Sequence, residues 1–565
     1  MGYKDGTTTG TITGTITTPH GWEAGKTVTY EISSTSINYS YTFAITQDPA
    51  SVPHTGGTSN FRITSTRQKS TASAPVEPVS FEIKEVYNEA TRQWTTNIPS
   101  WFNGGGRISG TGGPDVSSGS INIAAQTNGA QGIPGLATLQ NATPKGTSAQ
   151  PYTLEDEGGT LSKETANCYV IQASGYYSLP LVYGNAITNG TTNSSAYTST
   201  ASGANILSPF INHLGQDITG PNLPTPNSAG IVWQDETDLV TNVRLDTSNP
   251  SNMRLLFEVN KNTIREGNAV VAVYDSSNRA IWSWHIWVTA QDVFTPISMK
   301  TGGDISYSSQ EIKFMPCSLG EARNITFIFT RRALRAKVVQ SGSNREVEVT
   351  FVQDEGAEVG GHRSPYYQWG RKDPFIPSNG IDDTNQTWYN SAGAQKTSSP
   401  TYTSWGNGNT SVQNSIAYPS RFNTNHNTNF FNLWNANNSL TTVNNNRIVK
   451  TIYDPSPRGY AMPPSAAFTG FSKSGTFDKG WHSRTGYPAP NDKIYFPASG
   501  VRDDGFITLD IPGTVKGVGG FGYYWTAGPS NTDKGYNLGL YTDSAYSKYE
   551  SRRSLGFSVR PAQTN

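Results

Sequence analysis

Residues 522–561 read GYYWTAGPSNTDKGYNLGLYTDSAYSKYESRRSLGFSVRP. The stretch opens on an aromatic strand (Tyr523, Tyr524, Trp525), passes a polar turn, alternates again over 536–542 and closes on Leu555, Phe557 and Val559. Alternation at period two gives each strand one buried and one free face, so adjacent strands here form a rigid sheet with an open side. Between the apolar positions stand Tyr, Asn, Asp, Ser, Lys and Glu, the adaptable contact groups of paratopes. The candidate ligand contacts are Asn531, Asp533, Lys534, Tyr536, Asn537, Tyr541, Asp543, Tyr546, Lys548 and Tyr549.

Moving outward, a chain of 565 residues exceeds what one core holds and predicts several domains. Lys plus Arg and Asp plus Glu both number 42, so no global pull toward nucleic acid or an anionic membrane follows. Gly, Thr, Ser, Asn and Tyr dominate and helix-forming runs are scarce, which predicts a mainly β protein with many turns. No apolar run reaches the roughly 18 residues that span a bilayer. The two cysteines, Cys168 and Cys317, are too few for a disulfide framework, and the expectation is buried free thiols. The first residues lead straight into polar sequence without a signal peptide, as expected of a trimmed mature form or of a virion component.

Strands bounded by Gly, Pro and Asp recur from the Thr/Ile repeat at 10–18 through 27–32, 40–46 and 60–65, predicting an N-terminal antiparallel β-sandwich over 1–150. A second β-sandwich is expected over 151–355. In its strand 282–288, Trp282, Trp284 and Ile286 alternate with Ser283, His285 and Trp287, and bulk on both faces marks a central strand. A hairpin is predicted near Gly342, and 355–361 reads as the hinge into a last domain, 356–565. Within that domain 421–450 holds 11 Asn in 30 positions, a density that opposes helix and strand. It reads as a long loop pinned by Phe430, Phe431, Leu433 and Trp434, the type of loop on which binding residues concentrate.

Four ordered segments carry a family likeness: Tyr-Asp-Pro-Ser-Pro-Arg-Gly-Tyr at 453–460, Ile-Tyr-Phe-Pro-Ala-Ser-Gly at 494–500, Gly-Tyr-Tyr-Trp at 522–525 with Tyr-Asn-Leu at 536–538, and Gly-Phe-Ser-Val-Arg at 556–560. In these the chain resembles C-type lectin-like domains of the bacterial major paralogous type and the variable proteins of diversity-generating retroelements. The run Gly-Tyr-Tyr-Ser-Leu-Pro-Leu-Val-Tyr-Gly-Asn at 175–185 resembles fimbrillin-related surface proteins of gut Bacteroidetes. The resemblance implies two or three tandem β-sandwich domains, Ig-like or fimbrillin-like, followed by an α+β lectin-like domain. It also implies an extracellular cell-surface or pilus-tip adhesin that binds a protein or glycan receptor on a host or neighbouring cell. Pilus subunits would join by strand addition, for which 11–18 is the candidate strand. Two alternatives stand beside it: a phage receptor-binding tail protein, and a polysaccharide-binding protein of a glycan-uptake system.

Catalytic signatures are not expected. The seven histidines are scattered, no Cys or His spacing suits zinc, and Gly-Trp-Glu-Ala-Gly-Lys-Thr at 21–27 has one residue too few between its glycines for a phosphate loop. The adjacent acids Asp235 and Glu236, Asp382 and Asp383, and Asp503 and Asp504 read as turn caps. The calcium-binding triplets of animal lectins do not occur, so neither cofactor nor metal is expected. His285, between tryptophans, is read as a packed core residue.

Overall fold

Alternating apolar residues and frequent turns yield strands almost throughout the computed structural model. It describes residues 38–48, 51–71, 73–89, 91–106, 108–301, 310–323, 326–425, 428–439, 448–474, 480–485, 494–505 and 511–564. The stretches 10–18, 21–27 and 27–32 lie outside the described residues. Among those described, α-helix is confined to α1 (Leu136–Asn141) and α2 (Asn409–Ala417), and no helix is long and apolar enough to cross a membrane. The protein is mainly β, with many sheets and very little helix.

Contacts divide the chain into two units, residues 1–130 with 328–357 and residues 131–327 with 358–565. In the first unit, β1 (Tyr39–Asp48) pairs antiparallel with β2 (Gly57–Lys69), which also pairs antiparallel with β4 (Gly113–Ile123) of the same sheet. A second sheet contains β3 (Phe81–Asn88) beside a hairpin that returns from far along the chain, Arg332–Gln340 and Glu346–Gln353. Gly342 takes φ 67° in its turn. The two sheets enclose one core of Phe61, Ile63, Phe81, Ile83, Phe102, Ile121, Leu334, Val338 and Phe351.

Two fully buried glutamines fasten the returning hairpin. Gln340 Nε2 donates to Thr42 O (3.0 Å) and Ser65 Oγ (3.0 Å), while Gln353 Nε2 donates to Pro53 O and His54 O (both 3.0 Å) and its Oε1 accepts from Arg332 Nε (2.6 Å). Burying an amide without partners is costly, so these bonds select this docking over others. Gln353→Leu is expected to destabilise the first unit by about 2 kcal/mol, seen as a lower denaturation midpoint by circular dichroism.

In the second unit, a six-stranded sheet runs in the order β5 (Cys168–Ile171), β8 (Ala280–Val288), β7 (Gly267–Tyr274), β6 (Ser228–Gln234), β9 (Trp388–Asn390) and β10 (Gln395–Lys396). β8 has neighbours on both sides and every one of its residues is buried, in keeping with its two bulky faces. Because β9 and β10 complete this sheet, segments before and after the first unit's returning hairpin share one sheet. They also share one core, in which Trp282, Trp284 and Trp287 join Trp369, Trp434, Tyr453 and Trp525. Cys168 and Cys317 are both buried and unbonded, and burial pushes both thiols up.

Asn167 is the principal polar strut of that core. Its Nδ2 donates to Ile452 O (2.5 Å) and Asp454 O (2.8 Å), and its Oδ1 accepts from Trp282 Nε1 (3.1 Å). Asp454 in turn accepts from the backbone of Ser456 (2.8 Å) and Met462 (2.9 Å), folding the Asp-Pro-Ser-Pro turn onto itself. A second buried chain crosses β8. Tyr367 Oη meets His285 Nδ1 (3.2 Å), His285 Nε2 meets Asn268 Oδ1 (2.9 Å), and Asn268 Nδ2 donates to Asp235 Oδ2 (2.8 Å). With Asp235 able only to accept while ionised, the donors run one way along the chain and His285 is the neutral Nε2–H tautomer. Burial lowers His285 to about 3 and raises Asp235 to about 6, the latter against the pull of Arg363.

A tyrosine face on the C-terminal sheet

The 522–561 stretch folds into β11 (Phe521–Pro529), β12 (Lys534–Tyr541), β13 (Ala545–Arg552) and β14 (Gly556–Val559). β11, β12 and β13 are antiparallel neighbours, and β14 lies parallel to β11 on its other side. One face of this sheet, with Tyr524, Leu538 and Leu540, is buried against Phe496, Phe468 and Phe314. On the other face, register aligns Phe521 with Tyr541, Tyr523 with Gly539 and Trp525 with Asn537.

A bulge in β13 shapes this second face. Asn537 faces Tyr549 and Gly539 faces Tyr546, so two steps along β12 oppose three along β13. Strict alternation would turn Tyr546 and Tyr549 to opposite sides, and the extra residue brings both to the same side. Around them Tyr541 and Tyr546 meet edge to face (5.7 Å, 87°), Tyr546 and Tyr549 lie 5.8 Å apart, and Tyr523 stacks on Tyr549 (6.3 Å, 28°). The hydroxyls of Tyr523 and Tyr541 share a hydrogen bond. Beneath, Tyr523 stacks on Phe557 (4.6 Å), which lies 4.3 Å from the buried Trp525. An aromatic column thus rises from the core to Tyr546 and Tyr549, which are 50% and 41% exposed.

Gly539 makes room for it. A Cβ there would approach Tyr523 Cε1 to 3.3 Å, so the neighbouring rings close over the glycine. Burial, and for Tyr523 next the bond with Tyr541, push both phenols up, so each stays protonated and able to donate at neutral pH. The face can offer large, rigid, amphipathic contact area with little side-chain entropy left to lose on binding.

The ten candidate contacts divide by position. Tyr541, Tyr546 and Tyr549 come together, with exposed Asp543 at the adjoining hairpin tip. Asn537 lies on the same side but is fully buried, its Nδ2 donating to Tyr549 O (3.1 Å). Tyr536 and Lys548 belong to the opposite side, where the Lys548 ammonium sits 4.9 Å from the Tyr536 ring centroid. Asn531, Asp533 and Lys534 form the β11–β12 turn, in which Asn531 Oδ1 accepts from the backbone of Asp533 (3.0 Å) and Lys534 (2.8 Å). Buried Arg553 holds that turn by donating to Asn531 O (2.6 Å) and Lys534 O (3.2 Å), with its guanidinium 4.1 Å from the Trp369 centroid. The ten-residue contact set omits Tyr523, Phe557 and Gly539. The aromatic-rich strand was a signal for Tyr523, whereas the role of Gly539 depends on its cross-strand neighbours.

The asparagine-rich segment contributes struts. Asn432, Asn435 and Asn438 are buried, and their partners include Leu207 O (2.8 Å), Val449 N (2.9 Å) and Ala527 O (2.8 Å). Phe431, Leu433 and Trp434 are buried beside them. Among the described residues no group of three or more His, Cys, Asp or Glu is placed to hold a metal ion. Compared with protein-family models and with the curated proteins, the chain matches none.

Proposed function

We propose that the chain is an adhesin whose C-terminal sheet binds a protein or glycan receptor through Tyr541, Tyr546 and Tyr549. The observation that carries this reading is the aromatic column: three tyrosines gathered by a bulge, two of them exposed, on a base of Tyr523, Phe557 and Trp525. Exposed aromatic residues braced in this way are poor choices for solubility and good ones for recognition. The likeness of the terminal segments to lectin-like variable domains and of 175–185 to fimbrillin-related proteins favours display at a cell surface or pilus tip. The opposite alternation of Tyr536 and Lys548 leaves the proposed contact surface smaller than the ten-residue set.

The test is binding of the full chain to arrayed host glycans and extracellular proteins, comparing wild type with Tyr546→Ala/Tyr549→Ala. Losing two anchors is expected to weaken binding about 30-fold, on the order of 2 kcal/mol, with only a modest fall in melting temperature because about half of each side chain faces solvent. Equal binding by the variant, or binding to none of the probes, would count against the reading.

A further inference from the structure

A second site lies in the larger unit, sharing no residue with the tyrosine face. It is a cleft of about 570 Å³ between the strand Gln310–Phe314, the chain end around Ala562–Gln563, and the loops bearing Thr188, Ser195 and Lys450. That volume falls within the roughly 300 to 1,000 Å³ typical of small-molecule sites.

Its lining chemistry narrows the ligand. The described walls carry carboxylates at Glu164 and Glu311 and ammonium groups at Lys313 and Lys450, so formal charge balances. Several of these charges are answered within the protein: Glu164 pairs with Arg458 (3.2 Å), Glu311 accepts from Ser298 Oγ, and Lys450 Nζ donates to Ser456 O (3.0 Å) and Pro457 O (2.9 Å). The remaining polar lining is amide and hydroxyl, and no aromatic residue occurs among the described lining residues. Asn193, Asn437 and Gln563 present amides to the cleft, and the partly exposed Ile312 and Ile448 supply apolar wall.

We infer that this cleft binds a short neutral saccharide, its hydroxyls meeting the amide and carboxylate groups, with its C–H surface against Ile312 and Ile448. Sugars match a lining of this type because each hydroxyl both donates and accepts, and no net charge has to be neutralised. The site does not depend on the adhesin reading.

Isothermal titration of the full chain with a panel of neutral gluco-, manno-, galacto- and xylo-tetrasaccharides tests it. At least one is expected to bind saturably, with little change on raising salt because counterion effects are absent. Ser195→Trp at the exposed rim and, independently, Thr188→Arg are expected to weaken that binding more than tenfold, while Tyr546→Ala/Tyr549→Ala leaves it unchanged. The inference is overturned if no tetrasaccharide binds, if binding survives both cleft variants in folded protein, or if it is lost only in the tyrosine variant. Displacement of the sugar by an uncharged Gly-Ser decapeptide bound more tightly would reassign the cleft to extended peptide and overturn it as well.

Discussion

Asn167→Leu is expected to destabilise the larger unit by about 4 kcal/mol, enough to lower its melting temperature by many degrees. The substitution leaves Ile452 O, Asp454 O and Trp282 Nε1 without the partner they have in the buried core. Each orphaned buried group costs about 1 to 3 kcal/mol. Leucine keeps the branched shape and leaves no cavity, and because it is bulkier, overpacking adds to the lost hydrogen bonds. The site is also crowded: a Cβ on Gly184 would stand 2.0 Å from Asn167 Oδ1, so the walls cannot readily move in to compensate. Chemical denaturation followed by tryptophan fluorescence reads the effect. A loss below about 1 kcal/mol would mean that water or an alternative donor replaces the strut.

The second large effect is a response to acid with a defined shape. His285 has a folded value of about 3 against an ordinary 6.5, so between those values the unfolded chain holds the extra proton and stability falls as pH drops. Asp235 works the other way. Its folded value of about 6 exceeds the ordinary 3.8, so the folded form takes up the proton first and stability rises as pH drops from 6 to 3.8. Over that interval the two slopes, about 1.4 kcal/mol per pH unit each, oppose one another. Below it Asp235 has no more to give, and Glu321 joins the loss. Burial alone would raise Glu321, but His362, Arg560 and the Ser318 amide hold it at about 2, so its contribution is present above 4.5 and lost on descent toward 2. A plateau followed by a steep acid limb is expected from these three groups. In Asp235→Asn the compensation is removed, and relative to wild type the variant should lose about 3 kcal/mol between pH 6 and pH 3.8, measured by denaturant titration at each pH. A pH-independent difference between the two proteins would contradict the assignment.

Much of the β architecture was legible because burial writes itself into alternation. Residues 280–288 announce a strand with two apolar faces, and Gly342 marks a turn whose φ of 67° only small or special residues take easily. What periodicity cannot report is partnership. The strands 332–340 and 346–353 have unremarkable patterns, and only the docking of Gln340 and Gln353 reveals that they belong with residues nearly 300 positions earlier. The candidate site shows the same limit at finer scale. Its aromatic content was readable, but one extra residue in β13 reassigns sides, so Tyr546 and Tyr549 join and Lys548 is directed to Tyr536. The asparagine segment illustrates a different ambiguity: an amide suits a solvated loop and a buried strut equally well in composition, and only the positions of its partners distinguish them. The four segments carrying the family likeness are largely interior, with Tyr453, Phe496, Tyr524, Trp525 and Phe557 all buried. They describe a scaffold, and the proposed contact residues are the exposed ones between them.

The return of residues 328–357 to the first unit has a consequence for how the protein comes into being. Made from its N-terminus, the chain releases β1 to β4 long before the hairpin that fills the middle of their companion sheet. Until about residue 353 emerges, Phe61, Ile63, Phe81 and Ile121 lack Leu334, Val338 and Phe351 as partners, and β3 has an unsatisfied edge. Roughly two hundred residues of the other unit emerge in the meantime. Completion of the first unit's core therefore waits on synthesis of residues far along the chain rather than on its own local collapse, and an apolar face is open until then.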